Sequence, residues 1–242
     1  MESHDSPQTD SKHRRIVMVR SVFIAVANLV PLPGVSELLV DFSRRGLIEH
    51  LAREHNVELE EGAVSALLEE APEFQRLGIL ASLSKLGTLL RKQKRLRRLF
   101  TGLQLLSGVE AGFRAFEMGS MFEHYLSTAH MGQKLSEDQA RSVRKTMLDA
   151  SRATEKELIG DAISSLAMAV GQVALALPGY VWNRVASQGP QALSLPELSA
   201  VTQSATKLLS ELRLQSYAKK LTAHFDRKWT GPAVITVSQK PN

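Results

Sequence analysis

Hydrophobic residues along this chain recur at helical spacing, and the breaks in that rhythm fall at proline and glycine. Ile16 to Val30 is almost wholly apolar and suits a helix. Pro31, Pro33 and Gly34 end it, because proline lacks an amide donor and restricts the residue before it. Ser36 is placed to cap a second helix, on which Leu39, Leu47, Ile48, Leu51, Ala52 and His55 recur at helical spacing. The pair reads as a helical hairpin with a PLPG tip. Residues 63–71 suit a short amphipathic helix stopped by Pro72, and 74–100 a further helix.

The segment 102–126 is apolar and carries glycine. Gly108, Gly112, Ala115 and Gly119 fall on one helical face. Glycine weakens a helix by about 1 kcal/mol relative to alanine, so a face of small residues is favourable only where another helix packs closely on it. Ser136 with Gln139 has capping-box spacing and opens a polar helix expected to reach about Ile159. An uncharged run from Ala162 to Asn183 follows, broken at Pro178 and Gly179. Ser194, Pro196 and Glu197 open a last helix running to about Trp229.

The pattern predicts an all-α fold: a single helical domain over 13–229, of about seven or eight helices, with two apolar Pro-Gly helical hairpins. A disordered tail is expected over 1–12 and a loose one over 230–242, where VITVS has strand propensity without a visible partner. SVFIAVANLVPLPG at 21–34 and SLAMAVGQVALALPG at 165–179 share a leading serine, an AV pair and a closing Pro-Gly. Two readings stay open. One is a duplication of 13–100 and 136–229 around the glycine-faced helix; the other is two hairpins that look alike because apolar hairpins must.

Composition narrows the function classes. At 43% hydrophobic residues the chain can bury a sizeable core, and at 5% aromatic it favours close-packed helices over a sheet. It has no cysteine, which excludes a disulfide scaffold, a zinc-thiolate site, an iron–sulfur cluster and a thiol nucleophile. The polar start MESHDSPQTDSKHRR makes a poor signal peptide, so a cytoplasmic protein is expected.

Net charge is +5, and its distribution carries more meaning than its size. Arg91, Lys92, Lys94, Arg95, Arg97 and Arg98 lie within eight residues, with Leu96 among them and Leu89, Leu90, Leu99 and Phe100 on either side. Such a run is a solvated face, or it meets an anionic membrane surface or an acidic protein partner. Nucleic acid is disfavoured, because Phe100 is the one aromatic near the run and no nucleic-acid module is recognisable. A spanning helix needs about 20 apolar residues. Ser21 to Val30 is too short for that, and the uncharged run from Ala162 to Asn183 is diluted by Ser164, Ser165, Gln172, Pro178 and Asn183. Buried core, or monotopic membrane hairpins attached peripherally at the inner face, are therefore favoured over a true span.

Candidate chemistry is sparse. His50 and Glu54 stand one turn apart, but EHLAREH is not HExxH, and Glu-x-x-His pairs are absent. Glu110 and Glu117 lie two turns apart and could converge, although such pairs are far more often solvated or salt-bridged. Glu37 and Asp41 read as charges complementing a helix N-terminus. There is no P-loop, GxGxxG or GxSxG. The expectation is a non-enzymatic protein with no cofactor.

ANLVPLPGVSELLVDFSRRGLIEHLAREHNVEL at 27–59 resembles a segment of bacterial helical families, the YcjF-like membrane-associated domains and the EcsC-like proteins. Those show an apolar helix, a Pro/Gly tip with an acidic residue, and a second helix ending near IA-x-x-YG-x-x-L. Here HLAREHNVEL supplies that ending, with His55 for the aromatic residue, Asn56 where glycine is expected, and Ser36 before Glu37 at the acidic position. The resemblance implies the cytoplasmic face of a bacterial membrane and a GTPase partner, and no enzymatic activity. Two functions follow: a membrane-associated adaptor or scaffold, or a soluble helical module that binds and regulates a partner. Homo-oligomerisation stays open.

Overall fold

A computed structural model of the chain describes residues 7–28, 35–69, 102–130, 132, 134–154, 156–176, 203, 207 and 212–230. The fold is all-α. In chain order the described elements are α1 (Pro7–Ala27), α2 (Val35–Glu54), β1 (Glu58–Leu59), α3 (Ala63–Leu68), α4 (Gly102–Thr128), β2 (Lys134–Leu135), α5 (Glu137–Ala153), α6 (Lys156–Ala176) and α7 (Leu212–Lys228). The expected helix over 74–100, the tips at Pro31, Pro33, Gly34, Pro178 and Gly179, and the run Arg91–Arg98 lie outside the described residues.

The hub is α4. Its 27 residues extend about 40 Å at 1.5 Å per residue. It packs on α1 most extensively and also on α2, α5, α6 and α7. One continuous apolar cluster takes Val17 and Met18 from α1, Leu47 and Leu51 from α2, Phe122 from α4, Met147 from α5, Val170 from α6 and Tyr217 from α7. The described helices of the stretches 13–100 and 136–229 therefore share one core.

The apolar run of the first hairpin is explained by burial. Ser21 through Ala27 are all buried, because α1 is enclosed by α2, α4 and α6. Close approach to α4 depends on glycine. A Cβ at Gly112 would lie 2.5 Å from Ala25 Cβ and 2.6 Å from the Ser21 carbonyl oxygen. At Gly119 it would lie 2.9 Å from Val17 Cγ1 and 3.0 Å from Leu47 Cδ2. Ala115 packs with Ile24, Val40 and Ala111, and Gly108 is buried on the same side.

Three boundaries differ from the sequence expectation. Helix α1 starts at Pro7, inside the stretch expected to be a disordered tail. Proline is preorganised for a first helical turn. Lys12, the last residue of that stretch, docks by charge, its Nζ 2.6 Å from Glu54 Oε2, and His13 after it is buried. Helix α2 starts at Val35, so Ser36 lies inside its first turn and not before it. The polar helix opens with a capping box, in which Ser136 Oγ accepts from the Gln139 amide at 3.3 Å and Gln139 Oε1 accepts from the Ser136 amide at 3.2 Å. It ends at Ala153 instead of about Ile159, because Thr154 turns to extended backbone and its amide bonds back to Ser151 O.

Two further features carry no periodic signal. Strands β1 and β2 form a two-residue parallel bridge that ties the end of α2 to the start of α5. Helix α2 closes in a Schellman turn. The Val57 amide donates to Ala52 O at 2.8 Å and the Asn56 amide to Arg53 O at 3.1 Å, with Asn56 at φ 55. Asparagine tolerates that left-handed conformation better than other residues with a side chain, which accounts for its use at a position suited to glycine. Helix α7 presents Tyr217, Leu221 and Phe225 along one fully buried stripe, and Trp229 stacks on Phe225 with ring centroids 5.9 Å apart.

Candidate functional site

The face of α4 away from α1 carries Arg114, Glu117, Met118 and Met121, spaced as one helical stripe. Helix α5 presents Arg144, Met147, Leu148 and Ser151 at the same spacing. Where the two stripes face each other, with Arg44 of α2 and Leu68 of α3 at the margin, they leave a cavity of about 40 Å³. That volume holds about three waters or a single carboxylate-sized group. Arginines from three helices share the lining with three methionines, two leucines, Glu117 and Ser151.

Glu117 forms the floor. It is 5% exposed and accepts hydrogen bonds from Ser151 Oγ at 2.7 Å and from the Tyr217 hydroxyl. Burial raises its pKa above the ordinary carboxyl value, and this outweighs the two hydroxyl donors and the fields of Arg114 and Arg144, which act the other way. Tyr217 is pushed well above the ordinary phenol value, first by burial and then by Glu117, so it remains a hydroxyl donor. Ser151 from α5 and Tyr217 from α7 are thereby tied to α4 through one carboxyl group.

The arginines are held in place by other groups. Arg114 pairs with Glu110 one turn earlier on α4. Arg144 Nε donates to the Glu69 carbonyl oxygen at 3.0 Å, which fixes it against the end of α3. Glu110 and Glu117 therefore do not converge: one serves Arg114 at the surface, and the other is enclosed by hydroxyls. They form no acid/base pair across a substrate space. Asp41 pairs with Arg45 at 2.9 Å on the exposed side of α2.

The glycine face of Gly108, Gly112, Ala115 and Gly119 lies opposite the cleft and contacts α1. A second polar cluster sits beside the start of α1, where His13, His55 and Glu123 bring ligand atoms within 4.8 Å of one another. Sequence spacing does not reveal it, because the three residues come from α1, the end of α2 and α4. Among the described residues no helix is long and apolar enough to cross a membrane. No protein-family profile, curated protein or solved structure matches the chain.

Proposed function

We propose that this chain is a non-enzymatic helical binding module that receives an acidic segment of a partner protein in the cleft between α2, α4 and α5. The observation that supports this is that Arg44, Arg114 and Arg144 line one concavity together with three methionines and two leucines, over a floor made by Glu117 and Ser151. Guanidinium forks match carboxylates in geometry and charge, and they keep their charge at any physiological pH. The methionines Met118, Met121 and Met147 are unbranched and polarizable, so they adapt to an apolar residue flanking the acidic one. A cavity of about 40 Å³ suits an anchoring side chain.

The test is a fluorescence anisotropy titration with a labelled peptide of alternating glutamate and leucine. Binding should be saturable and weaken with salt. Replacing Arg44 and Arg144 with glutamine should weaken it about tenfold, equivalent to about 1.4 kcal/mol. An unaffected double variant, or no binding to the native chain, would remove the reading.

A membrane-associated scaffold is the alternative, supported by the run Arg91–Arg98 in the sequence. Attachment would then be peripheral and electrostatic. Substituting Arg91, Lys92, Lys94 and Arg95 with glutamine should weaken binding to acidic vesicles by about 1 kcal/mol per cation at low salt. Equal binding of the native chain to acidic and neutral vesicles would discard it.

A further inference from the structure

Beside the start of α1, away from the cleft, three metal-ligating side chains meet from elements distant in sequence. His13 projects from α1 and Glu123 from α4. His55 is the first residue after α2, held there by the Schellman turn through Asn56 and Val57. The side chains are 6%, 12% and 17% exposed, respectively for His13, Glu123 and His55. The rings of His13 and His55 have centroids 4.8 Å apart.

We propose that His13, His55 and Glu123 form a binding site for a divalent transition metal of the zinc type, with Glu54 orienting His13 from the far side of its ring. The distances carry the argument. Glu123 Oε1 lies 3.6 Å from His13 Nδ1 and 4.0 Å from His55 Nε2. Both are longer than an N–H···O hydrogen bond, which ends near about 3.2 Å. Metal bonds of about 2.0–2.1 Å in tetrahedral geometry put two ligand atoms about 3.4 Å apart, so small rotamer adjustments bring all three donors onto one ion. Two imidazoles and one carboxylate select zinc and its first-row neighbours over calcium or magnesium, which take oxygen donors.

A fourth group supports the same reading. Glu54 Oε2 lies 3.7 Å from His13 Nε2, the ring nitrogen opposite the one that faces Glu123. A carboxylate that accepts the other N–H of a ligating imidazole fixes its tautomer and raises its basicity, and the same small rotation that closes His13 on an ion would bring Glu54 from 3.7 Å into that bond. Glu54 is itself anchored by Lys12 at 2.6 Å. A bound ion would join the start of α1, the end of α2 and the last turns of α4. With three protein donors it would keep one position for water.

The experiment uses the full chain without an affinity tag, stripped by chelator and titrated with zinc by calorimetry and with cobalt(II) by visible spectroscopy. One zinc per chain at micromolar affinity or tighter is expected, with a higher melting temperature than the stripped protein. His55→Ala and Glu123→Gln should each lose at least about tenfold in affinity together with the melting shift. Glu54→Gln should lose about tenfold as a positioning residue. His224→Ala, on α7, should bind as the native chain does. The proposal is overturned if the native chain takes up no stoichiometric zinc, or if both ligand variants bind unchanged. If the ligand variants do not fold, the cobalt spectrum of the native chain decides. Intense low-symmetry bands from nitrogen and oxygen donors support the site, and the spectrum of the hydrated ion overturns it.

Discussion

Helix α4 has two faces that solve opposite problems with different residues. Toward α1 it offers glycine and alanine, and the two backbones approach until a single Cβ at Gly112 would clash. Toward α5 it offers arginine, glutamate and methionine, and the helices stand far enough apart to leave a cavity. A small-residue contact gains its energy from dispersion between closely approaching backbones and has no space to adapt. A contact through long, unbranched side chains gives up some of that packing and keeps room for a guest. One helix thereby fixes the hairpin of α1 and α2 on one side and holds a binding concavity on the other.

The largest effect should come from the closed face. Gly112→Leu must accommodate its Cβ against Ser21 O and Ala25, of which the first is backbone and cannot rotate away. Overpacking of this kind costs about 3 kcal/mol at the upper end of the usual range. A denaturant midpoint that falls while the m-value stays constant would measure it. A neutral variant would mean that the helices separate freely, and the contrast between the two faces would be lost.

Next in size is the floor of the cleft. Glu117→Ala leaves the buried hydroxyls of Ser151 and Tyr217 without their acceptor, at a cost of about 2 kcal/mol. Glu117→Gln keeps an acceptor and separates charge from bonding. Because the folded-state pKa of Glu117 is raised, the folded chain holds the proton more tightly than the unfolded one. The stabilisation from that proton is complete below the ordinary carboxyl value of 4.5 and is lost as pH rises through the folded-state value. The glutamine variant should therefore gain on the native chain as pH rises across that window. The gap should level off above it. Thermal melts at a series of pH values would show this, and a pH-independent gap would mean an unshifted carboxyl.

The two faces also differ in how much of them is legible in the sequence. Gly108, Gly112, Ala115 and Gly119 announce a close contact, because small residues at helical spacing in an apolar helix have few other uses. The capping box at Ser136 is equally readable, since both partners lie within four residues. The cleft is not. Its stripes on α4 and α5 have regular spacing, yet spacing does not say which helices face each other. Glu117 meets Ser151 and Tyr217 across 34 and 100 residues of chain. The α1 start is missed for a related reason. Lys12 docks on Glu54 by charge and His13 is buried beside Glu123, and a search for an apolar stripe cannot see either contact.

A milder test of the closed face uses Gly119. Its added Cβ would meet Val17 Cγ1 and Leu47 Cδ2, the ends of side chains that can shift by a few tenths of an ångström. Gly119→Ala should cost only about 1 kcal/mol, partly offset by the better helix propensity of alanine. A cost equal to that of Gly112→Leu would show that Val17 and Leu47 are locked in place by the rest of the core.

The smallest effect should come from the open face. Met121 lines the cleft and is 2% exposed, so burial alone would class it with the residues facing α1. What distinguishes it is the free volume beside it. Leucine has nearly the volume of methionine but branches at Cγ, and in a packed site that change of shape forces neighbours off their rotamers. Beside a cavity of about 40 Å³ the branch has somewhere to go. Met121→Leu should therefore change stability by less than about 1 kcal/mol. Its effect should also add to that of Gly112→Leu, because the two substitutions act on opposite sides of α4 and share no partner. If Met121→Leu costs as much as Gly112→Leu, or if the two couple strongly, then α4 packs with the same closeness on both sides and the cleft has no room for a guest.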